Sequence, residues 1–283
     1  MKILVIGDGT LGKSLAKESV KRGHSVFTTS RKDSSCLSLD LSREVDVTTL
    51  PETEWAIIAA AVSGFESCEK DQKAYTVNVT NTINLTHDLM QRGTKILFPS
   101  STAVFNGEEP FYTPTAHPSP QTEYGRQKAE VERFLNKNSG KALVVRYTKI
   151  LTTESGILYN WLNSFQKQEE ITAFTDLSLA PVLIGDAAFA TCRLMEENKT
   201  GVYHCSSSEE ISYYDLAQRL CKHYGFDKRL IKEATCKSNK NMYCPPFSSL
   251  NATETENIIN WKFPKTPKLI QKLLPPKNSK AKL

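Results

Sequence analysis

The chain has 283 residues, 39% of them hydrophobic and 24% charged, enough apolar material for a large core. No apolar run approaches the ~18 residues that cross a bilayer, and Gly7 and Asp8 end the first run too early for a secretory leader, so no membrane partner is expected. The net charge is +5, but seven lysines and no acid lie within 262–283, so the other residues sum to −2, which is +5 less those seven. That basic end reads as frayed and solvated, not as a nucleic-acid patch, and no nucleic-acid partner is expected.

Seven cysteines stand at 36, 68, 192, 205, 221, 236 and 244, none in a C-x-x-C pair. They read as free thiols of a reducing cytoplasm, with no disulfide and no metal site.

Short apolar runs alternate with helical patterns as far as Tyr147, the signature of parallel βαβ units. Residues 2–6, 25–29, 55–61, 95–100 and 142–147 are predicted strands, several apolar almost throughout, as in strands covered by helices on both faces. A shorter strand is predicted at 36–39, ending at Asp40. Leu11, Leu15 and Ala16 share a helical face that Gly23 ends; Tyr75, Val79, Ile83 and Met90 share another that Gly93 ends. With right-handed crossovers, this alternation predicts a Rossmann-type, doubly wound parallel α/β sheet.

Beyond Tyr147 the rhythm is irregular. Residues 202–206 read as a strand, Ser212 and Asp215 frame a capping box opening a helix through Leu220, and 238–251, with Pro245 and Pro246, reads as loop. The predicted organisation is a dinucleotide-binding domain over 1–150 and a smaller substrate-binding lobe over 151–274, laid across the strand ends. Strands near 182–206 return to the first domain, and 275–283 form a disordered basic tail.

Gly7, Gly9 and Gly12, with Thr10 and Leu11 between the last two, form a G-x-G-x-x-G turn directly after the first strand and at the start of the first helix. Glycines permit the tight turn and let the backbone approach a pyrophosphate, and the helix start offers free N–H groups to the anion. An NAD site usually carries an acid at the end of the second strand to hold the ribose 2′-hydroxyl. Here that stretch runs into Arg31 and Lys32, so NADP(H) is expected in preference to NAD(H), with a guanidinium on the 2′-phosphate. The alternative is that both are solvated loop charges.

Tyr124 and Lys128 are one helical turn apart, downstream of an apolar strand ending near Ser101. Hydride transfer to a carbonyl creates an alkoxide that needs a proton. A nearby ammonium is expected to lower the phenol's pKa, and Ser101 to polarise the carbonyl oxygen. Ser119 and Pro120 are the predicted cap and first residue of that helix. A second Tyr-x-x-x-Lys, Tyr224 and Lys228, lies beside Gly225 outside the nucleotide-binding half and reads as accidental.

From Met1 to about Leu274 the chain resembles the extended short-chain dehydrogenases/reductases, and within them the dTDP-4-dehydrorhamnose reductase family of nucleotide-sugar enzymes. The carriers are GDGTLG, Ala59-Ala60-Ala61, the stretch from Glu66 to Asn78, PSSTAVFNG at 99–107, YGRQK at 124–128, residues 201–218 and Pro245 to Leu250. The resemblance implies a nucleotide-linked sugar as substrate, with Ser101, Tyr124 and Lys128 as the catalytic set. It also implies that Tyr124 and Lys128 contact the cofactor, Lys128 on the nicotinamide ribose. Asp40 and Leu41 would lie against the adenine, and Ala59, Ala60 and Ala61 along the cofactor. Asn78 either orders the site or is a satisfied polar group between helices.

Three positions depart from the pattern. Gln127 stands where Ser or Thr is common, Cys244 stands where a late Arg-Pro motif would place arginine, and Ala103 replaces the cysteine of relatives that also epimerise. The implied activity is NADP-dependent reduction of a 4-keto-6-deoxysugar by a cytoplasmic homodimer. The alternatives are an epimerase or other carbonyl reductase on this fold, or a non-catalytic NADP-binding subunit like the methionine adenosyltransferase beta subunit. His204 reads as a packed core histidine.

Overall fold

A computed structural model describes residues 1–238 and 242–274; the expected basic tail at 275–283 lies outside the described residues. In chain order the strands are β1 (Lys2–Ile6), β2 (Ser25–Ser30), β3 (Leu37–Ser38), β4 (Trp55–Ile58), β5 (Lys95–Ser101), β6 (Ala142–Tyr147), β7 (Lys149–Leu151), β8 (Ile171–Phe174), β9 (Ser178–Leu179), β10 (Pro181–Leu183), β11 (Gly201–Cys205), β12 (Ile211–Ser212) and β13 (Ile231–Ala234). The α-helices are α1 (Thr10–Lys21), α2 (Phe65–Lys70), α3 (Gln72–Tyr75), α4 (Asn81–Gln91), α5 (Glu123–Asn136), α6 (Gly156–Gln166), α7 (Ile184–Glu196), α8 (Tyr213–Tyr224), α9 (Thr253–Ile259) and α10 (Thr266–Leu273).

Seven strands form one sheet in the order β11-β6-β5-β4-β1-β2-β3. Every neighbouring pair runs parallel. Chain order reverses between β1 and β4, which opens a crevice at the carboxyl ends of those strands. β1 shows why its sequence is apolar throughout. Ile3 and Val5 enter a core with Leu15 of α1 and Leu194 of α7, while Leu4 and Ile6 enter another with Leu89 of α4 and Val131 of α5. Full burial of each such side chain stabilises by about 1.5–3 kcal/mol before entropic costs. A third core joins Leu162 and Phe165 of α6, Leu216 and Leu220 of α8 and Leu269 of α10, beside β8 and β13.

Several expectations need correction. The strand predicted over 55–61 ends at Ile58, because Ala59 and Ala60 both donate their N–H to the Ile6 carbonyl, at 2.8 and 2.7 Å, and leave the ladder. α5 starts at Glu123 under a Thr122 cap whose hydroxyl accepts from Gly125 N at 3.1 Å; Ser119 instead accepts from Asn106 N at 3.2 Å. The helix predicted through Tyr75 and Met90 contains a π-helical turn, Thr76–Thr80, between α3 and α4. Cys236 and Cys244 are not free thiols but form a disulfide, with Cα atoms 6.0 Å apart. Their sequence spacing does not reveal this pairing. Cys36, Cys68, Cys192, Cys205 and Cys221 are free.

Candidate active site

The glycine turn has the form that the motif requires. Gly7 lies at φ +109°, and a Cβ there would sit 2.5 Å from Ala60 N. A Cβ on Gly12 would overlap the Gly7 carbonyl, so this glycine lets α1 pack against the turn. Gly9 is different: a Cβ there meets nothing within 4 Å. That face is open and borders the cleft described below. Gly9 caps α1 without any side-chain hydrogen bond, and no acid occupies the first turn. The leading N–H groups and the positive helix end therefore remain available to an anion, and the turn fits a dinucleotide pyrophosphate.

At the end of β2 the structure supplies an acid that the sequence reading missed. The Ser30 hydroxyl donates to Asp8 Oδ2 at 2.7 Å and holds that carboxylate below its usual range. Arg31 and Lys32 are exposed, and neither forms an ion pair with a described residue. Asp40 is half-buried and accepts from Ser42 N at 2.9 Å; Leu41 is buried, its carbonyl accepting from Asn81 at 2.8 Å.

A cleft of about 660 Å³ runs from this turn to the third core. It brings together Gly9, Thr10, Leu11, Ala59, Ala61, Ser101, Tyr124 and Lys128. Gly7, Gly12, Ala60, Arg31, Lys32, Asp40 and Leu41 do not line it. Gly7, Gly12 and Ala60 shape the turn from behind, and the other four lie toward β2 and the segment after β3. Tyr224 and Lys228 are also absent from the cleft, for α8 ends at Tyr224 and Gly225 turns left-handed at φ +78°.

Tyr124 and Ser101 line the same cleft. Ser101 ends β5 and accepts from Ala103 N at 3.1 Å. Lys128 donates to the Pro99 carbonyl at 2.9 Å and lies 4.5 Å above the Phe98 ring and 5.8 Å from that of Tyr124. The expected lowering of the phenol pKa is not found. Burial pushes Tyr124 up to about 12, offset in part by Ser101. Burial also lowers Lys128 to about 8, against the field of Glu132. Desolvation opposes whichever form is charged, so it moves the two groups in opposite directions.

Asn78, on the π-helical turn, pairs with both the N–H and the carbonyl of Val62 at 2.8 Å and donates to Gln127 at 2.8 Å. Gln127 thus has a structural use where Ser or Thr was the pattern. Cys68 was also missed. It is buried, donates to the Val62 carbonyl at 3.3 Å, and its neutral thiol form is favoured by burial. Beneath the site Glu132 receives Arg146 at 2.7 Å and the Ser100 hydroxyl, both carboxylate and guanidinium being almost wholly buried. His204 stands 3.4 Å from Arg146 and 3.1 Å from the Asn251 carbonyl; burial and that cation push it down to about 3, so it is a neutral core group. No group of three or more metal-ligating side chains comes together among the described residues, and no described helix is long and apolar enough to cross a membrane.

The RmlD substrate binding domain family matches residues 1–276. The chain belongs to this family. Among relatives of this RmlD-family chain, the probable low-salt glycan biosynthesis reductase Agl14 of Haloferax volcanii is 24% identical over 80% of this chain and 81% of its own length. A dTDP-4-dehydrorhamnose reductase of Aggregatibacter actinomycetemcomitans is 29% identical over 76% of each. A solved structure of dTDP-4-dehydrorhamnose reductase from Bacillus anthracis, in complex with NADP, has a TM-score of 0.82 at 19% identity, covering 96% of both chains.

Proposed function

We propose that this RmlD-family chain is an NADP-preferring reductase of a nucleotide-linked 4-keto-6-deoxysugar. The observation that carries the reading is that Ser101, Tyr124 and buried Lys128 line one cleft that begins on the glycine turn. A bound nicotinamide dinucleotide supplies hydride. Tyr124 then donates its proton to the carbonyl oxygen and Ser101 hydrogen-bonds the same atom, two donors for the charge that develops there. Lys128 keeps a positive charge at the base of the pair. The glycine-turn side of the cleft holds the cofactor, and the side lined by Leu177, Ser178 and Tyr213 takes the sugar nucleotide. Relatives named as a probable glycan biosynthesis reductase and a dTDP-4-dehydrorhamnose reductase support this assignment.

One observation favours the other cofactor. Asp8 brings a carboxylate to the end of β2, where an acid suits the free 2′-hydroxyl of NAD. We assign NADP because two cations, Arg31 and Lys32, stand exposed at the same end. The kcat/KM ratio for NADPH over NADH settles the choice, and Arg31→Ala should lower that ratio about tenfold or more. The activity itself is tested by NADPH consumption with a panel of nucleotide-linked 4-keto sugars. Tyr124→Phe should abolish turnover while leaving NADPH affinity within twofold; retained turnover refutes the proton-donor role.

A further inference from the structure

The cleft carries an unbalanced charge. Of the side chains lining it, Lys128 and Lys149 are cationic and none is acidic. Lys128 is committed, its ammonium on the Pro99 carbonyl. Lys149 is not: it forms no hydrogen bond or ion pair with any described residue. It opens β7, directly after Thr148 at the carboxyl end of β6, and faces the cleft shared with Ser178 and Tyr213. The side chain reaches solvent through the open mouth but is flanked by protein, which lowers its pKa with no anion to offset the effect. An accessible ammonium with no partner among the described residues can take up an arriving anion without first giving up another contact.

Two anions could reach this cleft: the pyrophosphate of a dinucleotide and the diphosphate of a sugar nucleotide. The first already has the glycine turn and the start of α1. Lys149 belongs to other structure. β7 pairs with β10, Lys149 opposite Pro181, and Leu151 of β7 enters the third core. The arginine expected near position 244 is not there either, because that residue is Cys244, tied to Cys236. The cleft therefore has a vacancy for a substrate-side cation, and one lysine to fill it.

We propose that Lys149 receives the diphosphate of the nucleotide-linked substrate and so selects for it over an uncharged carbonyl compound. This rests on the reductase reading above but has its own test. Titration calorimetry of the full chain, saturated with NADP, should detect binding of a nucleoside diphosphate, with thymidine and uridine diphosphates as probes. Lys149→Met keeps the stem and removes the charge; it should weaken that binding about tenfold or more, the scale of one charge-assisted hydrogen bond. Lys149→Arg should stay within about threefold. NADPH affinity and thermal midpoint should be unchanged in both.

Four results overturn the proposal: no diphosphate binding by the unmodified chain, equal binding by Lys149→Met, an equal loss with Lys149→Arg, or a matching loss of NADPH affinity, which would place Lys149 on the cofactor. If diphosphate binding depends on Lys149 while no keto sugar consumes NADPH, the anion site stands and the reductase reading fails. If keto sugars are reduced with the same KM by Lys149→Met, the reading stands and the anion site fails.

Discussion

Gly9 and Gly7 are both glycines of one turn, yet the structure gives them different work, and replacing each by alanine separates the two. Gly9 sits at φ −67° and ψ 173°, a conformation open to any residue, and a methyl there meets no protein atom within 4 Å. Alanine is a poorer cap than glycine, by about 0.5–1 kcal/mol, but restricts the unfolded chain by a similar amount. The two terms nearly cancel, so Gly9→Ala should move the thermal midpoint by no more than about 3 °C. Its methyl would nevertheless stand where a pyrophosphate must approach the α1 N–H groups. NADPH affinity should fall at least about tenfold, or about 1.4 kcal/mol. Gly7→Ala meets the opposite fate. At φ +109°, with its new Cβ 2.5 Å from Ala60 N and 2.7 Å from Ala60 Cα, it combines backbone strain with overpacking. Each costs about 1–3 kcal/mol, and the midpoint should drop by at least roughly 5 °C. Scanning fluorimetry without ligand and calorimetric titration with NADPH measure the two effects. An unchanged NADPH Kd in Gly9→Ala would refute the cradle, and a wild-type midpoint in Gly7→Ala would refute the packing behind it.

Arg146→Met should destabilise by about 3–5 kcal/mol in denaturant unfolding, because it leaves Glu132 charged and buried with Ser100 alone; adding Glu132→Leu should restore part of the loss, and no restoration would sink the ion-pair account. Glu196 is held down to about 2, first by its hydrogen bond from Arg22 and then by Arg193 and His24. A depressed carboxyl pKa gives stability that is complete above the ordinary value of 4.5 and disappears as pH falls toward 2, so Glu196→Gln should flatten the acid limb of stability across that window; an unaltered limb counts against it. In unfolded protein kept from reductant, alkylation should label five of the seven cysteines, and all seven after reduction; seven labels without reduction would restore the free-thiol reading of Cys236 and Cys244.

The sheet was legible because buried parallel strands have no polar alternation to blur their limits. Lys2–Ile6 and Ala142–Tyr147 are found as expected, since apolar residues on both faces leave one conformation that buries them all. What failed was decided by contacts distant in sequence. Ala59 and Ala60 look like strand until the Ile6 carbonyl claims both their N–H groups. Ser119 and Pro120 have the chemistry of a helix start, but Asn106 takes the serine hydroxyl and Thr122 caps instead. The glycine turn, Ser101, Tyr124 and Lys128 were visible because each lies in a local motif. Cys68 and Lys149 were not, for nothing in their own neighbourhoods marks them, and Asp8, though inside the glycine motif, becomes notable only through the Ser30 hydroxyl that the fold sets beside it.

The protonation of the candidate catalytic pair follows from burial more than from their nearness to each other. An ammonium lowers a neighbouring phenol's pKa when its field reaches the oxygen, yet the Lys128 charge is spent on the Pro99 carbonyl and over the Phe98 face. Burial then dominates, in opposite senses, pushing Tyr124 up to about 12 and Lys128 down to about 8. At neutral pH both therefore keep their protons: the phenol is neutral and the amine charged. That is the state needed to give a proton to a carbonyl oxygen as it gains charge, and the wrong one for taking a proton from an alcohol. On the proposed reading the cofactor-free cleft is thus set for reduction. The partner that moderates the phenol is the Ser101 hydroxyl, which comes from the end of β5 while Tyr124 comes from the first turn of α5. If both hydroxyls donate to the carbonyl oxygen as proposed, their placement on separate rigid elements spares rearrangement when charge appears there, and such preorganisation is where most of the rate enhancement is expected to arise.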